Sequence, residues 1–266
     1  FPINALPSAQ MVAAGIEEIL CNADLKFEAV KRYYEKVDAD VLFYFSDIAI
    51  QAEAMGARVK FYPDRMPAIV APAQTISLPS PAESVRMKVN AQALKRMEKG
   101  YQDKLRAALI YGPFTVAGQI LGEARLLRKI STDEKEAITY IEKAYHVAQD
   151  YASYLLESGA NLLWVSDPLA ALIPPKQFSR FAGIHLKKLF DSCKPISAIL
   201  HICDDTNNII PEMVQTGVGG ISFDNCMNLF AIEELVPRHV NIIGNVDPVA
   251  VIELGSPSEI RHETVD

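Results

Sequence analysis

The chain has 266 residues, 50% hydrophobic and 22% charged, a composition that builds a packed core and excludes a disordered or fibrous protein. A formal net charge of -7 excludes a general nucleic-acid binder, which needs a basic face to displace counterions from phosphates. No apolar run approaches the roughly 20 residues of a membrane span. No signal-peptide pattern is visible, and four scattered cysteines make no disulfide framework, so a cytoplasmic protein is expected.

Short apolar runs alternate with longer amphipathic segments. The runs at 1–5, 39–45, 107–111, 161–165, 196–202, 219–223 and 240–243 lack polar alternation and read as strands buried on both faces. Between the second and third, residues 59–62 and 68–71 flank Pro63-Asp64-Arg65-Met66-Pro67 and predict a small antiparallel hairpin. Pro79 and Pro81 mark a surface loop leading into a helix over 91–105. The clearest helical period covers 132–157, with Ala137, Ile141, Ala144, Ala148, Tyr151 and Leu155 on one stripe. Ser131 and Glu134 stand in capping-box positions and Gly159 follows as the stop. Pro175 is placed to open the next helix, and Ser256-Pro257-Ser258-Glu259 predicts one more N-terminus.

Regular strand–helix alternation predicts a parallel sheet with crossover helices. No Gly-x-Gly-x-x-Gly follows an early strand, which disfavours an open dinucleotide-binding sheet. Polar residues instead follow many different strands: Asp47, Thr115 and Gln119, Asp167, His201 and Cys203, Asp224, Asn245 and Asp247. A TIM (β/α)8 barrel gathers its chemistry in this way, from the carboxyl ends of several strands. With seven predicted strands, the expectation is one barrel domain over 1–266, truncated at both ends and lacking the eighth strand.

His201-Ile202-Cys203 is the sharpest local signal. Residues i and i+2 of an extended strand share a face, so imidazole and thiolate converge, and both suit Zn²⁺. A hydrogen-bonded histidine beside an inert buried cysteine is the alternative. Cys21 and Cys193 read as packing residues, and His146, His185, His239 and His262 as solvated ones.

Wider blocks carry a resemblance. Phe45-Ser46-Asp47, Glu53-Ala54-Met55-Gly56, Gly112-Pro113-Phe114-Thr115, Glu157-Ser158-Gly159-Ala160-Asn161 and Gly244-Asn245-Val246-Asp247-Pro248 resemble the uroporphyrinogen decarboxylase superfamily in order and spacing. The resemblance implies a TIM barrel with its site at the strand carboxyl ends. Its decarboxylases carry an arginine-rich segment where this chain has Asn4-Ala5-Leu6-Pro7-Ser8-Ala9-Gln10-Met11, and a tyrosine where it has Gln119. A substrate with eight carboxylates finds no guanidinium clamp there. The other branch, zinc-dependent methyltransferases that work with a corrinoid protein, carries His-x-Cys on the fifth strand. His201 and Cys203 resemble its metal ligands, which implies zinc, a corrinoid carried by a partner protein, and a small methyl donor or thiol acceptor. That branch takes a third ligand, a cysteine, after the eighth strand; here it is expected beyond Asp266, with Cys226 or Asp224 as substitutes. Asp47, Gln119 and Asp167 are the expected catalytic residues, and Asn245 and Asp224 the expected cofactor contacts. True decarboxylation, or tetrapyrrole or corrinoid binding without catalysis, are the competing functions.

Overall fold

The computed structural model describes residues 5–265. Its strands are β1 (Val41–Phe43), β2 (Arg58–Lys60), β3 (Ala68–Ala71), β4 (Leu105–Tyr111), β5 (Leu162–Ser166), β6 (Ser197–His201), β7 (Gly220–Ser222) and β8 (Asn241–Ile243). One parallel sheet of six runs β1-β4-β5-β6-β7-β8. Neighbours in space follow one another along the chain without reversal. A doubly wound sheet reverses its strand order at a switch point; a sheet wound in one sense is an arc of a barrel. The fold is therefore a truncated TIM barrel among the described residues, with six strands in the arc and not seven. The predicted strand at 1–5 lies outside the described residues except for Ala5, which opens a short helix, Ala5–Ala9. That stretch, Ala-Leu-Pro-Ser-Ala, has none of the β-branched residues that favour a pleated strand.

β2 and β3 pair antiparallel, as the paired runs around Pro63 and Pro67 predict. The helix expected over 91–105 runs Val85–Gly100, capped by Ser84, whose hydroxyl accepts from Met87 N, and Leu105 already belongs to β4. The long helix is Glu134–Glu157, and its cap is Asp133, not Ser131; the Asp133 carboxylate accepts from Glu136 N at 3.2 Å, while Thr132 closes the preceding helix. The apolar stripe predicted for it is buried throughout. Gly159 ends it at φ +103, a left-handed conformation that costs a side-chain-bearing residue about 1–2 kcal/mol. At Ser256 both capping-box bonds form: Ser256 N donates to Glu259 Oε2 (2.7 Å) and Glu259 N to Ser256 Oγ (3.3 Å).

Inside the arc, Phe43 meets Trp164 edge-on, with ring centroids 5.1 Å apart. His185, read as solvated, is buried instead, and its Nδ1 bonds the Phe181 carbonyl one helical turn back (2.9 Å). The local bond removes the need for water.

A polar network ties three helices to the sheet. Lys26, on helix Ala23–Tyr34 and fully buried, donates its Nζ to Asn90 Oδ1 on helix Val85–Gly100. Asn90 Nδ2 donates to Tyr151 Oη (2.8 Å) and Ser46 Oγ (3.3 Å), and Tyr44 Oη donates to the Leu109 carbonyl of β4 (2.7 Å). Burial, partly offset by Asp47, lowers the Lys26 ammonium to about 7. The unfolded chain keeps this proton up to the ordinary lysine range, so between about pH 7 and that range it binds more protons than the native state. Stability is therefore expected to rise with pH there, by up to about 1.4 kcal/mol per unit for this group. The difference in urea-unfolding free energy between wild type and Lys26→Met should carry that slope; a difference independent of pH would show Lys26 to be charged throughout.

Candidate functional site

Register places four polar side chains in one row. Tyr111 pairs with Ser166, Ser166 with His201, and His201 with Ser222. Paired residues project from the same face of a sheet, and these are the last residues of β4, β5, β6 and β7. Trp164, two residues before Ser166, shares that face, and its ring lies 6.4 Å from the His201 ring.

His201 Nε2 and Cys203 Sγ stand 3.2 Å apart. The separation is near the roughly 3.5 Å between two ligands of a tetrahedral ion with bonds of about 2.0 and 2.3 Å. On its other side, His201 Nδ1 lies 3.2 Å from both the Ser222 carbonyl and the Ser222 hydroxyl. Donation from Nδ1 to that carbonyl leaves the Nε2 lone pair directed at the thiol, the outer-shell arrangement found behind metal-bound histidines. Burial, opposed by the Ser222 bond and Asp224, lowers the imidazole below its ordinary value. Burial first, then Asp224 and Asp204, raises the Cys203 thiol. Asp204 takes φ 65, a conformation Asp tolerates, and turns the chain directly after the thiol. The pair fits two positions of a zinc site. Among the described residues no third His, Cys, Asp or Glu converges with it, and Cys226 is exposed.

Asp224 Oδ2 accepts from Asp204 N and its Oδ1 from Asn225 N, both at 2.9 Å. Asn245 Nδ2 donates to the carbonyls of Asp224 (2.8 Å) and Met227 (2.6 Å). Both expected cofactor contacts thus make bonds that hold the loops after β6, β7 and β8 together. Asp247 caps the next turn through Val249 N and Ala250 N, each at 2.8 Å.

The expected catalytic residues have distinct surroundings. Asp47 is buried after β1; its Oδ1 accepts from Ala49 N (3.0 Å) and its Oδ2 from Arg86 Nη1. Arg86 Nε donates to Glu53 Oε2 at 2.6 Å, and Phe61, beyond β2, lies 5.2 Å from the guanidinium. Gln119 meets the same loop, its Nε2 donating to the Ile48 carbonyl (3.2 Å), while its Oε1 is buried without a partner among the described residues. Asp167 is fully buried; its Oδ1 accepts from Thr115 N (2.7 Å) and Thr115 Oγ1 (2.6 Å) at the start of helix Pro113–Leu121. Burial raises that carboxyl to about 6, against the two Thr115 donors.

Gly112 explains why Asp167 fits. A Cβ there would stand 2.2 Å from Asp167 Oδ2 and 2.4 Å from its Cβ, so the buried carboxylate would have to shift. Gly112→Ala is expected to cost about 1–3 kcal/mol in urea unfolding, the range for overpacking a core; a change below about 0.5 kcal/mol would show the carboxylate free to move.

Arg86, Asn90 and Lys26 belong to none of the sequence motifs above; the signals that mark them are polar residues at i and i+4 on the stripe that also holds Ala93, Leu94 and Met97, and a charge among Ala23, Ala29 and Val30. No periodic signal marks Tyr111, which ends an apolar strand.

The family model described as uroporphyrinogen decarboxylase (URO-D) matches residues 4–266. The chain belongs to the uroporphyrinogen decarboxylase family. Within reach of that family, it is 29% identical over 229 residues to the methylated-thiol–coenzyme M methyltransferase of Methanosarcina mazei, covering 82% of this chain and 61% of that protein. It is 30% identical over 176 residues to methylcobamide:CoM methyltransferase MtbA of Methanosarcina acetivorans, covering 64% of this chain and 51% of the relative. A uroporphyrinogen decarboxylase of Prochlorococcus marinus is 24% identical over 263 residues, covering 92% of this chain and 74% of that protein. In fold, the chain superposes on a solved methyltransferase from Methanosarcina mazei with a TM-score of 0.90 at 21% identity, over 97% of this chain and 80% of the other.

Proposed function

We propose that this chain is a single barrel domain of a methyltransferase that moves a methyl group between a corrinoid protein and a thiol acceptor or methylated donor, with zinc held by His201 and Cys203. The observation that carries the reading is the convergence of His201 Nε2 on Cys203 Sγ at 3.2 Å, with Nδ1 held from behind by Ser222. The relatives named for methylcobamide, coenzyme M and methylated thiols support the substrate classes. No third ligand joins the pair among the described residues, and the third is proposed to lie outside them. Zinc bound there would supply a Lewis-acidic position that favours the thiolate of a substrate thiol or polarises the heteroatom of a methylated donor.

The chain's own residues do the rest. Ser222 fixes the ring plane and tautomer of His201, and the two-residue alternation of the strand end sets Cys203 on the same face. The loop bonds of Asp224 and Asn245 hold the rim that would face the corrinoid protein. Asp47, Gln119 and Asp167 complete the proposed site residues, and Gln119 Oε1 is a buried acceptor without a partner among the described residues. A cytoplasmic location is proposed from the four scattered cysteines, which form no disulfide framework; among the described residues no helix is long and apolar enough to cross a membrane.

The test is cobalt(II) titration of the full-length protein, read by the absorbance of thiolate ligation and by quenching of Trp164, the chain's single tryptophan. The expected result is one ion per chain, absent in His201→Ala, with methyl transfer from methylcobalamin to coenzyme M in the zinc form. Cobalt uptake unchanged in His201→Ala would overturn the reading. Decarboxylation is the weaker reading because both Asp47 oxygens are engaged within the protein; turnover of a porphyrinogen would restore it.

A further inference from the structure

Tyr111 closes β4 in the row that contains His201, yet its two halves are treated differently. β1 pairs with β4 only as far as Phe43 opposite Ala107, so the β1 side of Tyr111 has lost its ladder. Gln51, fully buried, replaces the missing strand: Tyr111 N donates to Gln51 Oε1 (2.6 Å) and Gln51 Nε2 donates to the Tyr111 carbonyl (2.9 Å). This double bond pair fixes the Tyr111 backbone beyond the end of regular pairing. The phenol hydroxyl, by contrast, makes no hydrogen bond among the described residues, although the ring is partly buried against the core. Burial, then the charges of Asp47, Tyr151 and Cys203, hold the phenol above its ordinary value. A clamped backbone beneath an unengaged phenol is how a binding side chain is pre-organised.

We infer that Tyr111 is a substrate contact whose hydroxyl donates a hydrogen bond to the small thiol or methylated ligand seated at His201 and Cys203. The inference rests on the proposed function and adds a residue to it. β4 and β6 are two strand spacings apart, roughly 10 Å between Cα atoms. Both side chains rise from one face, so a ligand of a few heavy atoms on the His–Cys pair fills the gap to the phenol. The hydroxyl bonds nothing among the described residues, and its removal is therefore expected to leave the fold as it was.

The experiment compares wild type with Tyr111→Phe in the full-length protein, with cobalt(II) as the metal probe and coenzyme M as the thiol. Thiol affinity of the cobalt-loaded protein, read by Trp164 fluorescence, should weaken about tenfold, the effect of losing one good hydrogen bond. In turnover KM should rise by a similar factor with kcat within twofold, and cobalt affinity and thermal midpoint should stay at wild-type values. Thiol affinity unchanged in Tyr111→Phe, with wild type binding both probes, overturns this inference alone. So does a parallel loss of cobalt affinity, which would make Tyr111 a support of the metal ligands. Wild-type protein that takes up no cobalt, or binds no thiol, overturns the proposed function and this inference with it.

Discussion

Cys203→Ser and His201→Ala are each expected to lower methyl transfer by more than 100-fold while leaving the thermal midpoint within a few degrees of wild type. Loss of an outer-shell partner of a metal ligand costs roughly 10–100-fold, and these residues are the proposed ligands themselves. Serine keeps the volume of Cys203 but offers zinc a hydroxyl that stays protonated where a thiol ionises. The fold should survive because both side chains are only partly buried and lie at or beyond the last paired residue of β6, outside the packed middle of the strand. Metal content and corrinoid absorbance during turnover, measured for each variant, check the prediction. Wild-type rates in Cys203→Ser would remove the thiolate from the mechanism. Ser222→Ala should be milder, since the carbonyl that holds His201 Nδ1 is main chain and remains.

The largest stability effect is expected at Arg86. Its guanidinium is buried between Asp47, which is fully enclosed, and Glu53, which is partly exposed. Arg86→Ala leaves the Asp47 carboxylate in the core with one backbone N–H and without its ion-pair partner, the buried Lys26 amine being the remaining basic group that acts on it, and removing one partner of a buried ion pair costs about 3–5 kcal/mol. The cut also withdraws the surface on which Phe61 rests, so the β2–β3 hairpin should loosen. Urea unfolding near neutral pH is the measurement. The double variant Asp47→Asn, Arg86→Met should recover a good part of the loss, because it removes both charges together. A cost below about 1 kcal/mol for Arg86→Ala would mean that water reaches Asp47, and the loop after β1 would then be open at the barrel mouth.

The chain's periodicities alone determined the parallel strand–helix alternation, the β2–β3 hairpin, the buried stripe of helix Glu134–Glu157 and the capping box at Ser256. Each depends on residues within a few positions of one another, where propensity, capping chemistry and burial agree. His201 and Cys203 were legible for the same reason: two residues apart at a strand end, they share a face wherever the strand goes. The blocks around Asp47, Gly112 and Asn245 pointed to the family, and the match over residues 4–266 established it. Boundaries were less well determined, at Asp133 and at Ser84, because several residues nearby can cap and only the one whose side chain reaches the free N–H does so. What tertiary structure decided was the partners of the buried polar groups. Asp47 meets Arg86 39 positions away, Lys26 meets Asn90 across 64, and Gln51 clamps Tyr111 across 60. No local period encodes such pairings. They exist because the closing arc brings loop ends and helix faces together in a space without water, where every donor and acceptor that cannot reach solvent has to find another.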